Sequence, residues 1–122
     1  KYVEPDSTQF GGGLHAIPPG GFLKMHSDFR HAPDGRRRVA NLLLYVNETW
    51  QEEWGGALRL EGDGFREYLP LGGRAVIFRT DKRGLHGHPD PMPCPPEVMR
   101  RSIAVYYYTN DLGVPDTTRY RK

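Results

Sequence analysis

One cysteine, Cys94, is all this chain has. An internal disulfide is excluded, and so is any zinc site built on two or more thiolates of the chain. Long apolar runs are missing as well. None approaches the roughly 20 residues that a bilayer-spanning helix needs, and no signal-peptide pattern opens the chain. A membrane is not an expected partner, and a reducing cytoplasm is the expected compartment. Charge of one sign is scarce, with 17 Lys and Arg against 15 Asp and Glu. The basic run Arg36-Arg37-Arg38, after Pro33-Asp34-Gly35, reads as a solvated loop leading into a strand. Nucleic acid is not an expected partner, because phosphate binding needs a broader basic face. Glycine and proline, by contrast, are plentiful, at 15 and 11 of 122 residues. At that density turns recur every few residues, which argues against long helices. With 37% apolar and 11% aromatic residues the chain still has a core to bury, and its length suits one domain.

The punctuation divides the chain into short strands. Gly11-Gly12-Gly13 and Pro18-Pro19-Gly20-Gly21 flank an apolar stretch, Leu14 to Ile17. Phe22 to Asp28 reads as a strand entering a loop. Val39 to Val46 is nearly continuous in apolar residues, as in a strand buried on both faces. Gln51 to Trp54 suits a helical turn closed by Gly55-Gly56. Strands are expected over Ala57 to Leu60, Phe65 to Leu71 and Ala75 to Phe78, with a turn at Glu61-Gly62-Asp63-Gly64. Five prolines within residues 89–96 make that segment a loop. Ser102 to Tyr108 is the last long strand. Short strands with Gly/Pro turns predict an all-β sandwich, barrel or jelly roll, and the lack of alternation with long helices disfavours a doubly wound fold.

His26-Ser27-Asp28 is the most informative local pattern. In an extended chain, residues two apart point to one side, so an imidazole and a carboxylate can converge on one metal ion. A second histidine from a distant strand would complete a 2-His-1-carboxylate facial triad, which leaves open positions on an octahedral iron. Alone, the pattern is also that of a hydrogen-bonded turn. His86 and His88 follow another apolar strand and are the candidates for the distal ligand; each would otherwise be an exposed loop residue beside prolines. Further on, Arg100 and Ser102 share a face while Arg101 faces away. A guanidinium beside a hydroxyl is a good carboxylate receptor, through charge-assisted and often bidentate hydrogen bonds.

Taken in order, His26-x-Asp28, Arg38, Tyr45-Val46-Asn47, Trp50, Gly55-Gly56-x-Leu58, Ala75 to Phe78, His86-Gly87 and Arg100-x-Ser102 form a connected pattern. It resembles the prolyl-4-hydroxylase-like branch of the 2-oxoglutarate/Fe(II) dioxygenases. The likeness runs from about Phe10 to Asp111, the core of a single domain over residues 1–122. It implies a double-stranded β-helix, an all-β, jelly-roll or cupin-like core with few or no helices and iron at one open end. It also implies that His26, Asp28 and His86 bind Fe(II) and that Arg100 and Ser102 hold the distal carboxylate of 2-oxoglutarate. Tyr45 falls where such proteins often place another co-substrate contact. The implied activity is hydroxylation of an unactivated C–H bond using O2 and 2-oxoglutarate, with release of succinate and carbon dioxide and with ascorbate as a reductant.

Alternation does not separate His86 from His88, because they share a face. Pro89 holds His88 extended and marks the turn into the proline-rich loop, which predicts a place at the rim for His88. His86 follows more closely on the 75–78 strand, and the His86-Gly87 pair matches the implied distal ligand. Two other readings stay open: a cupin-like metalloenzyme that does not use 2-oxoglutarate, and a binding module without turnover. A prolyl residue in a peptide and a small amino-acid-like molecule are the expected substrate classes. Specificity is expected to lie in residues 29–37 and 87–99. Trp50, Trp54 and Tyr106 to Tyr108 are expected to pack the core and strand flanks rather than form a peptide-binding stripe.

Overall fold

The structure, a computed structural model, describes residues 4–5, 12–28, 35–80 and 84–109. Among these described residues nine strands are defined: β1 (Glu4–Pro5), β2 (Gly13–Ile17), β3 (Leu23–His26), β4 (Arg38–Tyr45), β5 (Leu58–Gly62), β6 (Gly64–Tyr68), β7 (Ala75–Arg79), β8 (Leu85–His88) and β9 (Arg100–Tyr108). Among the described residues the one helical element is a 3-10 turn, Glu52–Trp54. All pairings are antiparallel. In the five-stranded sheet β9 pairs with β1, β2 and β4, and β4 continues to β7; the four-stranded sheet runs β3-β8-β5-β6. Side chains from both sheets line one internal cavity, so the sheets face each other as the two walls of a double-stranded β-helix.

The two sheets are built from different kinds of strand. β4 and β9 are the long apolar ones and form the centre of the larger sheet, with Leu42 opposite Val105 and Leu44 opposite Ile103. On β9 the inward positions Arg100, Ser102 and Ala104 are buried while Arg101 is exposed, the alternation of a strand with one face on the core. β5 and β6 form a hairpin around Asp63. β6 ends at Tyr68, earlier than the sequence predicts, because the turn begins at Leu69-Pro70 and proline has no N–H to extend the ladder. Buried Asn47 fastens this end of the sandwich. Its amide donates to the Pro70 carbonyl (2.7 Å), and its side-chain oxygen accepts from the Arg101 backbone N–H (2.7 Å).

The proline-rich segment 89–96 is irregular, as its composition requires, yet it is fastened to the body. Gly20 N–H donates to the Met92 carbonyl (2.8 Å), Met92 N–H donates to that of Gly21 (3.2 Å), and the Met92 side chain is buried. Met92 packs where Gly56 has no side chain. A Cβ on Gly56 would stand 2.7 Å from the Met92 sulfur and 3.2 Å from Arg100 Cδ, and the φ of +72° there also favours glycine. Trp50 and Trp54 stack edge to face (5.4 Å), with the Trp50 indole N–H donating to Gly55 O (3.0 Å). Of residues 29–37, positions 29–34 lie outside the described residues.

Candidate active site

His26 ends β3 and His86 lies directly opposite it on β8, so one backbone pairing sets the two imidazoles side by side, ring centroids 4.3 Å apart. That pairing depends on Gly87. A Cβ there would meet the Leu23 carbonyl oxygen at 2.7 Å and that of Lys24 at 2.8 Å. Gly87→Ala should therefore push β8 from β3, costing about 1–3 kcal/mol as overpacking does. A lower unfolding midpoint together with weaker metal binding is expected; unchanged metal affinity would show that the strand spacing does not set the site.

Asp28 follows β3 and reaches between the two rings. Its Oδ1 lies 3.4 Å from His26 Nε2 and its Oδ2 lies 3.3 Å from His86 Nε2. One ligand atom from each of His26, Asp28 and His86 falls within 4.8 Å of the others. The carboxylate is held from behind: Asn41 Nδ2 donates to Oδ2 at 2.8 Å, and Arg38 sits 3.3 Å from the same oxygen. Burial opposes the charged form, but hydrogen bonds from His86 and Asn41 and the nearby imidazoles outweigh it, so the carboxyl is held well below the usual carboxylate range. Arg38 is itself fixed by the Tyr108 hydroxyl (3.0 Å) and lies 3.8 Å over the Tyr106 ring. Phe78 backs His86 at 4.7 Å between centroids.

The tautomer of His26 follows from its partner. Its Nδ1 is 2.7 Å from the Lys24 carbonyl, which can only accept, so Nδ1 carries the hydrogen and Nε2 presents a lone pair to the centre. Nε2 of His26 and Oδ1 of Asp28 face each other at 3.4 Å, a contact that a shared proton or a bound cation satisfies. Two imidazoles and one carboxylate are the donor set that suits a non-haem divalent iron.

The cavity behind this cluster, about 100 Å³, is lined by both sheets and includes Leu58, His88, Arg100, Ser102 and Ala104. Arg100 is 3% exposed. Its Nε donates to Gly56 O (2.8 Å) and a terminal nitrogen to the Tyr45 hydroxyl (3.3 Å), while no carboxylate among the described residues pairs with it. Burial pushes its pKa down, with Tyr45 acting against that shift. Burial likewise raises the pKa of Tyr45, against the effect of the Arg100 charge. A wider depression of about 480 Å³ opens on another flank of His86, bordered by Leu60, Glu61, Phe78 and Arg79.

A model of the 2OG-Fe(II) oxygenase superfamily matches residues 12–108, which contain every residue of this cluster and cavity. The chain belongs to that superfamily. Among solved structures it is similar to a Pseudomonas putida prolyl-4-hydroxylase, at 30% identity and a TM-score of 0.65, over 80% of this chain and 49% of the other. A Trichoplax adhaerens prolyl hydroxylase, solved with a peptide fragment of the hypoxia inducible factor oxygen degradation domain, is 25% identical (TM-score 0.63; 78% and 41% covered). A prolyl 4-hydroxylase of Phytophthora capsici is 26% identical (TM-score 0.64; 84% and 33%). The chain thus spans half or less of the length of these oxygenases. No curated protein matches it. Membership implies Fe(II) and 2-oxoglutarate, and the donor set and the buried Arg100 guanidinium, which has no carboxylate partner among the described residues, fit them. Among the described residues no helix is long and apolar enough to cross a membrane.

His88 is not the rim residue that Pro89 suggests. It is 3% exposed, on the same side of β8 as His86, because segment 89–96 folds back through Met92 instead of leaving the body. Burial, followed by the charges of Arg100 and His26, pulls its pKa down to about 4, so the ring is neutral at pH 7. Asn41 is a support that the pattern of motifs does not single out, and Arg38, which the pattern includes, is given no role by it. Asn41 had a signal: an amide inside the apolar run Val39–Val46 must find a hydrogen-bond partner when buried.

Proposed function

We propose that this chain is a 2-oxoglutarate- and Fe(II)-dependent dioxygenase that hydroxylates an unactivated C–H bond. The substrate class is a prolyl residue in a peptide or a small amino-acid-like molecule. His26, Asp28 and His86 hold the metal. Arg100 and Ser102 hold the distal carboxylate of 2-oxoglutarate, and Tyr45, whose hydroxyl bonds Arg100, is a further co-substrate contact. Fe(II), when bound, supplies the activation of O2 that couples oxidative decarboxylation of 2-oxoglutarate to hydroxylation. The chain's own work is to keep three donors convergent, seat a dicarboxylate and exclude water from the cavity. Ascorbate is the reductant in this reading, and the single thiol of Cys94 suits a reducing cytoplasm.

One observation carries the proposal: a buried guanidinium without an acidic partner among the described residues, beside a buried hydroxyl, in the cavity behind the donor cluster. A buried cation of this kind needs an anion to satisfy it. A metalloenzyme without 2-oxoglutarate would leave Arg100 and Ser102 without a task. The prolyl-hydroxylase likeness, at 30% identity or less, supports peptides as the first substrates to try. The test is succinate formation with Fe(II), 2-oxoglutarate and ascorbate, against a panel of prolyl peptides and free amino acids. Succinate above the no-substrate level for one panel member, with a matching hydroxylated product, is expected. Metal binding without any succinate would leave the binding-module reading.

A further inference from the structure

Among the described residues His88 has no hydrogen-bond partner for either ring nitrogen, although both are sealed from solvent. Buried polar groups are nearly always hydrogen-bonded, so two unmet atoms on one ring point to something that occupies the cavity. Its described neighbours within the smaller sheet are apolar. In the β3–β8 ladder His88 stands opposite Leu23, and one inward step along β5 from the His86–Leu60 pair lies Leu58. Two residues along β8 from His86 is about 7 Å, so His88 lies one layer deeper than the donor cluster. Arg100 and Ser102 line the same cavity.

We propose that His88 is a further binding residue for the co-substrate, its ring N–H donating to a carboxylate oxygen of 2-oxoglutarate shared with Arg100. This rests on the function proposed above. An imidazole has an N–H at either nitrogen to give, and Arg100 has no carboxylate among the described residues. One carboxylate group, with two oxygens and about four acceptor positions, can accept from the one ring N–H of His88 and from the Arg100 guanidinium together. The second ring nitrogen, an acceptor, is left to a water or to another group. His88 thereby becomes part of the cavity wall that distinguishes a dicarboxylic 2-oxo acid from a monocarboxylic one.

The test is anaerobic calorimetric titration of the Zn(II)-loaded chain with 2-oxoglutarate, which needs no turnover. His88→Leu should raise the 2-oxoglutarate Kd about tenfold, as loss of a hydrogen bond to a charged group does, with Zn(II) affinity unchanged. His88→Asn or His88→Gln, which return an amide N–H to one or other ring-nitrogen position, should recover most of that loss in one of the two. Equal 2-oxoglutarate affinity in His88→Leu and the parent would overturn the proposal and leave the ring to an internal water. Loss of Zn(II) in folded His88→Leu would overturn it differently, by making His88 a metal ligand. A parent chain that binds Zn(II) but no 2-oxoglutarate would instead bring down the proposed function itself.

Discussion

His26→Ala is expected to abolish metal-dependent 2-oxoglutarate consumption while leaving the chain folded. Its ring is half-buried and makes one hydrogen bond within its own strand, so little packing is lost. The loss at the proposed metal site is far greater. Two donors cannot fix the facial geometry, and metal affinity should fall by more than about 100-fold, the upper range for removing even an outer-shell partner. Asp28→Ala should be equally inactive but less stable. It leaves Arg38 buried without the carboxylate 3.3 Å away and removes the acceptor of the Asn41 amide. His86→Ala opens a gap between Phe78 and the His26 ring as well. The measurements are bound iron per chain and succinate formed, on variants whose circular dichroism matches the parent. Full turnover in either His26→Ala or Asp28→Ala would remove the facial-triad assignment.

That assignment was only partly legible in the sequence. His26 and Asp28 are neighbours in the chain, and the period of two puts them on one side without any knowledge of the fold. The same period gives Arg100 and Ser102 a common face, and β9 keeps its alternation because β4 pairs with it continuously from Ala40 to Tyr45. The choice between His86 and His88 is of another kind. Alternation treats them alike; what separates them is the β3–β8 register, which sets His86 opposite His26 and His88 opposite Leu23. That register joins segments some sixty residues apart and is fixed by sheet packing and by the close approach at Gly87.

The misplacement of His88 has a physical cause too. Pro89 does end β8, as a residue without an N–H should, but ending a strand does not put its last side chain in solvent. The backbone of Met92 bonds to Gly20 and Gly21, and its side chain fills the space beside Gly56. A loop dense in proline is conformationally stiff, and stiffness lets it cover a cavity as readily as leave one. Arg38 shows a different limit. Within an arginine run it reads as solvated, yet the third arginine is buried, because β4 begins there and its first side chain meets Asp28 and the two tyrosine rings, while Arg36 lies partly exposed over Tyr108.

Arg100→Ala is expected to separate co-substrate binding from metal binding. The guanidinium is buried, so its interaction with an incoming carboxylate is not screened as a surface pair would be. Removing a charge-assisted pair of about 1.5–3 kcal/mol should weaken 2-oxoglutarate by about 10- to 100-fold. Metal affinity should hold, since Arg100 touches none of the three donors and instead bonds Gly56 and Tyr45. Arg100→Lys keeps the charge but loses the planar fork, so it should fall between the parent and the alanine variant. Arg101→Ala is the internal control. Its side chain is exposed, and the bond it makes to Asn47 comes from its backbone N–H, which alanine retains. A thermal readout checks the same point without turnover. A ligand that binds only the folded state raises stability by about 2.7 kcal/mol at 100 times its Kd. The 2-oxoglutarate-dependent rise in Tm should therefore survive in Arg101→Ala and shrink in Arg100→Ala at equal ligand concentration. If Arg101 proved the sensitive position, β9 would be displaced by one residue, and Ser102 would turn its hydroxyl out of the cavity.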